Sequence, residues 1–213
     1  MKKFIMQYIK GCPKCQETKS NTTKPKIPTY PITVKPNAQP FETIAWDLIT
    51  DLPLSNGHDS ILTITNHDCT KAAIFLPCRK DIDSEGIATL YATHVFPHFG
   101  VPRRIISDRD PCFISKFSKE LCAQLQIEQN ISTAYHPQMD GQSERSNQWL
   151  EQYLRIYGNF QQDDWAKWLP IAQYVHNSWP STTTGQTPFD LLIGFTPRIK
   201  ESQHTTNIPE IEH

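Results

Sequence analysis

The chain has 213 residues, 38% hydrophobic and 10% aromatic, enough apolar material for one domain with a proper core plus flanking arms. No apolar run is long enough to cross a membrane, and Met1–Lys10 carries lysines without the extended apolar centre of a secretory signal, so a soluble intracellular protein is the expectation. The net charge of −1 hides an asymmetry: residues 1–40 hold eight lysines and one acid, a net +7, and the remainder holds 13 Lys and Arg against 21 acids, a net −8. A basic arm ahead of an acidic domain is compatible with nucleic-acid contact through the arm and with a site that collects divalent cations.

Six cysteines (Cys12, Cys15, Cys69, Cys78, Cys112 and Cys122) read as thiols or ligands rather than as a disulfide framework. Cys12-Pro13-Lys14-Cys15 has the spacing of half a tetrahedral zinc site, which needs four ligands. The pair reads as an orphaned half-site, as a metal site completed from elsewhere, or as inert thiols. A thioredoxin-like motif would sit beside a strand–helix unit, whereas here a stretch with five prolines and three lysines follows over residues 20–40. That stretch reads as an extended linker.

From Phe41 the pattern becomes strand-like. Ile44, Trp46 and Leu48 alternate with Ala45, Asp47 and Ile49, so Asp47 projects from the face opposite Trp46. Residues 55–60 are a turn signal, and 61–66 and 71–78 read as two further strands, completing a meander. A helix is expected over Asp83–Val95, with Ser84 as its cap and Ile87, Leu90, Tyr91 and Val95 as its core face. A short strand, Arg104 to Ser107, ends at Asp108. Asp108 and Asp110 each read either as a carboxylate presented at a sheet edge or as an ordinary turn or cap residue. A helix over about 115–125, a strand near 127–131 and a final helix over about 164–177 follow, the last with Trp165 and Trp168 as core residues. The residues after Thr182 are punctuated by Gly and Pro and end in a polar tail. Asp51, Asp68 and Asp110 are assigned to turns and surface.

Between the last strand and the last helix lies the stretch His136 to Arg155. Pro137, Asp140 and Gly141 make a turn that runs into a helical pattern. At about 100° per residue, Trp149, Leu150, Tyr153, Leu154 and Tyr157 fall on one side and Glu144, Gln148, Glu151 and Arg155 on the other. Glu144 thus stands in the first turn, facing away from the core. Arg145, Asn147 and Gln148 flank it on or near the wet face, as DNA-backbone contacts or as plain solvated residues. Tyr135 and His136, just before the turn, line a DNA-binding groove or pack.

Three strands, a helix, a strand, a helix, a strand and two helices is the order of a ribonuclease-H-like α/β domain, a mixed five-stranded sheet flanked by helices. Three carboxylates fall where that fold gathers its active site: Asp47 on the first strand, Asp108 after the fourth and Glu144 at a helix start. Between Asp108 and Glu144 lie 35 residues. With CPKCQETK, AWDLITDLPLSNGHDSILTI, VFPHFGVPRRIISDRDPCF, ISTAYHPQMDGQSERSNQWLE and TTGQTPFDLLIG, this spacing resembles the integrases of gypsy-type LTR retrotransposons, members of the retroviral integrase family.

The resemblance implies DNA integration by a polynucleotidyl transferase that trims element ends and joins them to target DNA. It implies two Mg²⁺ (or Mn²⁺) held by Asp47, Asp108 and Glu144, with Asp47 between the metals. DNA is the expected partner, RNA a further candidate, a homo-oligomer the expected state and the nucleus the expected compartment. By resemblance, residues 1–20 are a remnant of the family's zinc-binding module, 21–40 a linker, 41–200 the catalytic core and 201–213 a tail. The family's His pair ahead of Cys12 and Cys15 does not occur in this sequence, so Zn²⁺ is expected only if the module is completed elsewhere. Asn66 and Met139 stand where the family pattern usually has Asp and Thr. The rival readings are a truncated nucleic-acid-binding protein without integration activity, a ribonuclease H or exonuclease on the same fold, and a redox protein through Cys12 and Cys15.

Overall fold

The computed structural model describes residues 2–13, 38–108, 110–131 and 141–199. The N-terminal piece is a helix, α1 (Lys2–Gly11), an element the sequence reading did not assign; Phe4, Ile5 and Tyr8 are exposed on it. Cys12 lies just after α1, and Cys15 lies outside the described residues.

The rest is built on five strands: β1 (Thr43–Ile49), β2 (Ser60–Asn66), β3 (Ala73–Cys78), β4 (Arg104–Ser107) and β5 (Glu128–Ile131). Their order across the sheet is β3-β2-β1-β4-β5. The β1–β2 and β2–β3 pairs are antiparallel, and β1–β4 and β4–β5 are parallel. This is the mixed five-stranded, ribonuclease-H-like arrangement expected from the element order. β1 sits at the centre, with the antiparallel meander on one side and the parallel strands on the other.

Helices cover both faces, so β2 is buried along its whole length and reads as an apolar and threonine run. On one face Ile44, Leu62, Ile64, Leu76 and Ile105 pack with Ile87 and Tyr91 of α2 (Ser84–His94) and Phe113 of α4 (Pro111–Ile114). Trp46 and Leu48 join this cluster, as the alternation predicts. The short α3 (Phe96–Phe99) extends α2, and Cys122 of α5 (Lys116–Gln124) completes the layer. On the other face Ile49, Ile61, Ala73 and Phe75 pack with Leu150, Tyr153 and Leu154 of α6 (Gly141–Tyr157). Trp165, Leu169 and Ala172 of α7 (Trp165–Ser178) close that layer. Both tryptophans assigned to the core pack there, Trp165 fully and Trp168 in part.

Four local expectations are corrected. Asp83, not Ser84, caps α2: its carboxylate accepts from Gly86 N at 2.8 Å, while the Ser84 hydroxyl donates to Cys112 O at 2.7 Å and joins α2 to α4. Asp68 is buried, 9% exposed, because the β2–β3 turn folds back onto the start of β1, with His67 N donating to Thr43 O at 2.9 Å. Burial pushes the Asp68 carboxyl up, but hydrogen bonds from Thr43 and His67 outweigh it and hold the group below the usual range. Tyr157 is 51% exposed because it occupies the last turn of α6, beyond the sheet, where it meets the ring of Tyr153. The Gly- and Pro-punctuated stretch after Thr182 contains a further short helix, α8 (Pro188–Ile193). Thr187 caps its start through Asp190 N, and Gly194 ends it in the left-handed conformation (φ 80°) that glycine adopts without steric cost.

Candidate active site

The parallel pairing of β1 with β4 ends at Trp46 and Ser107, the residues that immediately precede Asp47 and Asp108. Adjacent strands run about 4.8 Å apart, which brings two acidic positions together where β4 ends. By strand alternation Asp47 stands on the sheet face covered by α6, opposite Trp46. An acid at the end of one strand therefore meets an acid inside its neighbour, a juxtaposition that antiparallel β2 cannot supply; the β2 residue opposite Asp47 is Thr63.

Asp47 is half-buried and anchored at both oxygens. Oδ1 accepts from Leu48 N at 2.9 Å, and Oδ2 accepts from Asn147 Nδ2 of α6 at 2.6 Å. Its carbonyl accepts from Thr63 Oγ1 at 3.2 Å. Asp108 is half-buried too, and its Oδ1 accepts from Asp110 N at 3.0 Å. Burial raises the Asp108 carboxyl above its ordinary range; the Asp110 N–H bond opposes this and the Asp110 charge reinforces it. Asp110 in turn accepts from Cys112 N at 3.0 Å and caps α4, the cap reading of that residue.

Glu144 stands exposed in the first turn of α6, one turn before Asn147. The Asn147–Asp47 hydrogen bond thus docks the helix that carries Glu144 against the strand that carries Asp47. Among the described residues no three His, Cys, Asp or Glu side chains are gathered as a ready-made metal cluster. The structure sets Asp47 and Asp108 one residue beyond a paired position of β1 and β4 and places Glu144 one helical turn from the contact that joins α6 to Asp47.

Comparison with known proteins bears on this arrangement. No protein-family model matches the chain. Over 199 residues, 93% of its length, it is 33% identical to the Transposon Tf2-3 polyprotein of Schizosaccharomyces pombe, and the Tf2-4 polyprotein of the same organism matches equally. The chain spans 15% of the length of these relatives. Among solved structures, the catalytic core domain of BIV integrase shares the fold with a TM-score of 0.55 at 19% identity, covering 71% of this chain and 93% of that one. A chain of the simian T-cell lymphotropic virus intasome, solved with PP2A regulatory subunit B56 gamma, gives a TM-score of 0.61 at 18% identity, covering 94% of this chain and 71% of its own. The chain thus matches part of a transposon polyprotein in sequence and shares the fold of retroviral integrase cores.

The residues flanking Glu144 separate. Arg145 and Gln148 are exposed, as expected, but Asn147 is only 9% exposed and Ser146 is buried beside it, which corrects the placement of Asn147 on the wet face. The signal was present in the sequence: Asn147 and Ser146 precede the core residue Leu150 by three and four positions, so both belong to the stripe that faces the sheet. Tyr135 and His136 lie outside the described residues. Two further polar atoms at this edge escaped the sequence reading. Trp46 Nε1 and Ser107 Oγ, paired in register just before the two acids, are buried without a hydrogen-bond partner among the described residues. A cleft of about 270 Å³ opens further along α6, lined by Asp51, Leu52, Glu151, Arg155 and Trp165, and contains neither Asp108 nor Glu144. Asp108 and Glu144 thus lie outside that cleft.

Proposed function

We propose that this integrase core is a divalent-metal-dependent polynucleotidyl transferase that processes and joins the 3′ ends of retrotransposon DNA, with Asp47, Asp108 and Glu144 as its ligand set. The observation that supports the reading is the register pairing of Trp46 with Ser107, one residue before Asp47 and Asp108, together with the Asn147 bond that joins the Glu144 helix to Asp47. The donor set fits the proposed ion: hard carboxylate oxygens at an open edge suit Mg²⁺, which keeps water and takes substrate phosphate as further ligands. A structure of the HTLV-2 integrase catalytic core domain, TM-score 0.53 at 18% identity, contains magnesium. Held there by Asp47, Asp108 and Glu144, such ions would supply a polarised phosphoryl oxygen, an activated nucleophile and charge neutralisation at the leaving oxygen.

The chain's own residues hold and orient. Asp47 is fixed by Leu48 N and Asn147, and Asp108 by Asp110 N. Arg145 and Gln148, exposed next to Glu144, take DNA phosphates, a cation and an amide on the helix face that follows the acid. The neighbouring structures are an intasome and a trimeric core domain, and this core is proposed to act as a homo-oligomer on DNA in the nucleus. Cys12 and Cys15 take Zn²⁺ only where two further ligands come from elsewhere.

The test is strand transfer of a labelled duplex carrying the element's end sequence, with Mg²⁺ or Mn²⁺, comparing the wild type with Glu144→Gln. Joined products that disappear in the variant support the reading. Product that survives the substitution sinks the ligand set. DNA binding without product in either protein favours the reading of a nucleic-acid-binding protein without integration activity.

A further inference from the structure

Asn147 does something that neither the ligand set nor the DNA-contact reading requires. It is nine-tenths buried on the sheet-facing side of α6, and its Nδ2 lies 2.6 Å from Asp47 Oδ2, the short separation of a hydrogen bond to a charged acceptor. A carboxylate only accepts, so the NH₂ side of the amide must face Asp47, and this fixes which way Oδ1 points. That Oδ1 is buried with no hydrogen-bond partner among the described residues. A leucine would fill nearly the same volume on a helix stripe that continues with Leu150 and Leu154 without leaving a polar atom unsatisfied. Packing alone therefore does not account for an amide at this position; its contact with Asp47 does.

Among the described residues Asp47 is tied to its own strand through Leu48 N and to α6 through Asn147, at different oxygens. Two bonds at two oxygens fix the plane of a carboxylate, where one would leave it free to turn about χ2. We propose that Asn147 is a positioning residue: it holds the Asp47 carboxylate in a single orientation at the β1–β4 edge and locks to it the helix carrying Glu144. This rests on the reading of Asp47, Asp108 and Glu144 as ligands of divalent cations. The role is that of an outer partner which orients a ligand without touching the ion, and removing such partners costs roughly ten- to hundred-fold in metal affinity or activity.

The experiment compares the wild type, Asn147→Leu, Asn147→Ala and Asp47→Asn in the full chain. Two quantities are titrated against Mg²⁺: the rise in thermal unfolding midpoint, which reports cation binding without turnover, and the strand-transfer rate. Circular dichroism without metal reports folding; Asn147→Leu keeps the volume should the alanine variant be lost. The expected result is a folded Asn147→Leu whose half-saturating Mg²⁺ concentration rises roughly ten- to hundred-fold in both assays, with the rate partly recovered at saturating Mg²⁺. A merely structural residue would lower the midpoint without metal and leave the Mg²⁺ dependence where it was. Should neither variant fold, the side-chain amide ¹⁵N–¹H resonances of the wild type decide, since Mg²⁺ must shift the Asn147 pair. A folded Asn147→Leu with wild-type Mg²⁺ dependence, beside an Asp47→Asn that has lost it, overturns the positioning role and leaves the ligand set standing. A wild type that shows neither an Mg²⁺-dependent midpoint nor strand transfer overturns the ligand set itself, and the positioning role with it.

Discussion

Substituting Asn177 by alanine should be among the most damaging single changes on α7, for a reason confined to one sheet edge. β3 is an outermost strand, and its pairing with β2 sets Ala73, Phe75 and Pro77 opposite Thr65, Thr63 and Ile61. Pro77 has no N–H to donate, so this alternate set turns its backbone groups away from β2. The outward groups are met by side chains: Asn177 Oδ1 accepts from Ala73 N and Asn177 Nδ2 donates to Ala73 O, both at 2.9 Å, while Gln173 Oε1 accepts from Phe75 N at 3.0 Å. Asn177 is 4% exposed, so Asn177→Ala orphans two backbone groups out of reach of bulk water. At about 1–3 kcal/mol for each buried group left unsatisfied, less what water recovers at an edge, the loss is about 2–4 kcal/mol. For a chain of this size that corresponds to a fall of roughly 5–12 °C in unfolding midpoint. Gln173→Ala, half-buried and with one such bond, should lose only about 1 kcal/mol. Equilibrium urea unfolding followed by tryptophan fluorescence measures both. The freed edge should also make Asn177→Ala associate more strongly as concentration rises. An Asn177→Ala that loses no more than Gln173→Ala would refute the idea that α7 seals β3.

Two further outcomes are expected. Burial pushes the His176 imidazole below its ordinary value against a weaker pull from Asn177, and burial does the same to His67, where the Asp68 bond opposes and the Lys71 and Arg104 charges reinforce. Both rings are thus held neutral when folded and protonate more readily when unfolded, so stability is full above about pH 6.5 and falls as pH drops through that value. The unfolding midpoint should decline between about pH 7.5 and 5.5, before the depressed carboxylates begin to titrate, and His176→Phe should decline less than the wild type; equal declines would dismiss His176 as a contributor. Arg145→Ala should leave folding unchanged and reduce the slope of log K against log salt for duplex binding by about 1, and an unchanged slope would remove Arg145 from the phosphate contacts.

The parts of the fold legible in the sequence are those with a short-range signature. Trp46 and Asp47 separate onto opposite faces because strands alternate, and Leu150, Tyr153 and Leu154 share a face because helices repeat near 3.6. What failed depends on contacts between distant segments. Asp83 and Ser84 are equally good cap residues on local grounds; the choice is made by Cys112 O, 28 positions away, which takes the Ser84 hydroxyl. Asp68 reads as a surface acid until the β2–β3 turn is laid on Thr43. Tyr157 continues the apolar stripe of α6, but the stripe outruns the sheet it packs on. Asn147 is a different kind of miss: its spacing to Leu150 announced burial, and polarity was allowed to override position. A buried amide on a core stripe asks for a partner, and in this molecule the partner is an acid of the site.

The spacing of the acids follows from topology. Parallel strands point their C-terminal ends to the same edge, so of the two neighbours of β1 only β4 can release an acid beside Asp47 as its chain leaves the sheet. Having released Asp108, the chain must return to pair β5 in parallel with β4, and parallel neighbours require a crossover of roughly a dozen residues or more. Here α4 and α5 supply that crossover on the face of Trp46 and Phe113. α6, which offers Glu144, lies on the opposite face. The 35 residues between Asp108 and Glu144 thus include that crossover and β5. The number by itself sets no distance between the carboxylates. That distance is set by where α6 docks, through the packing of Leu150, Tyr153 and Leu154 on the sheet and the hydrogen bond from Asn147 to Asp47.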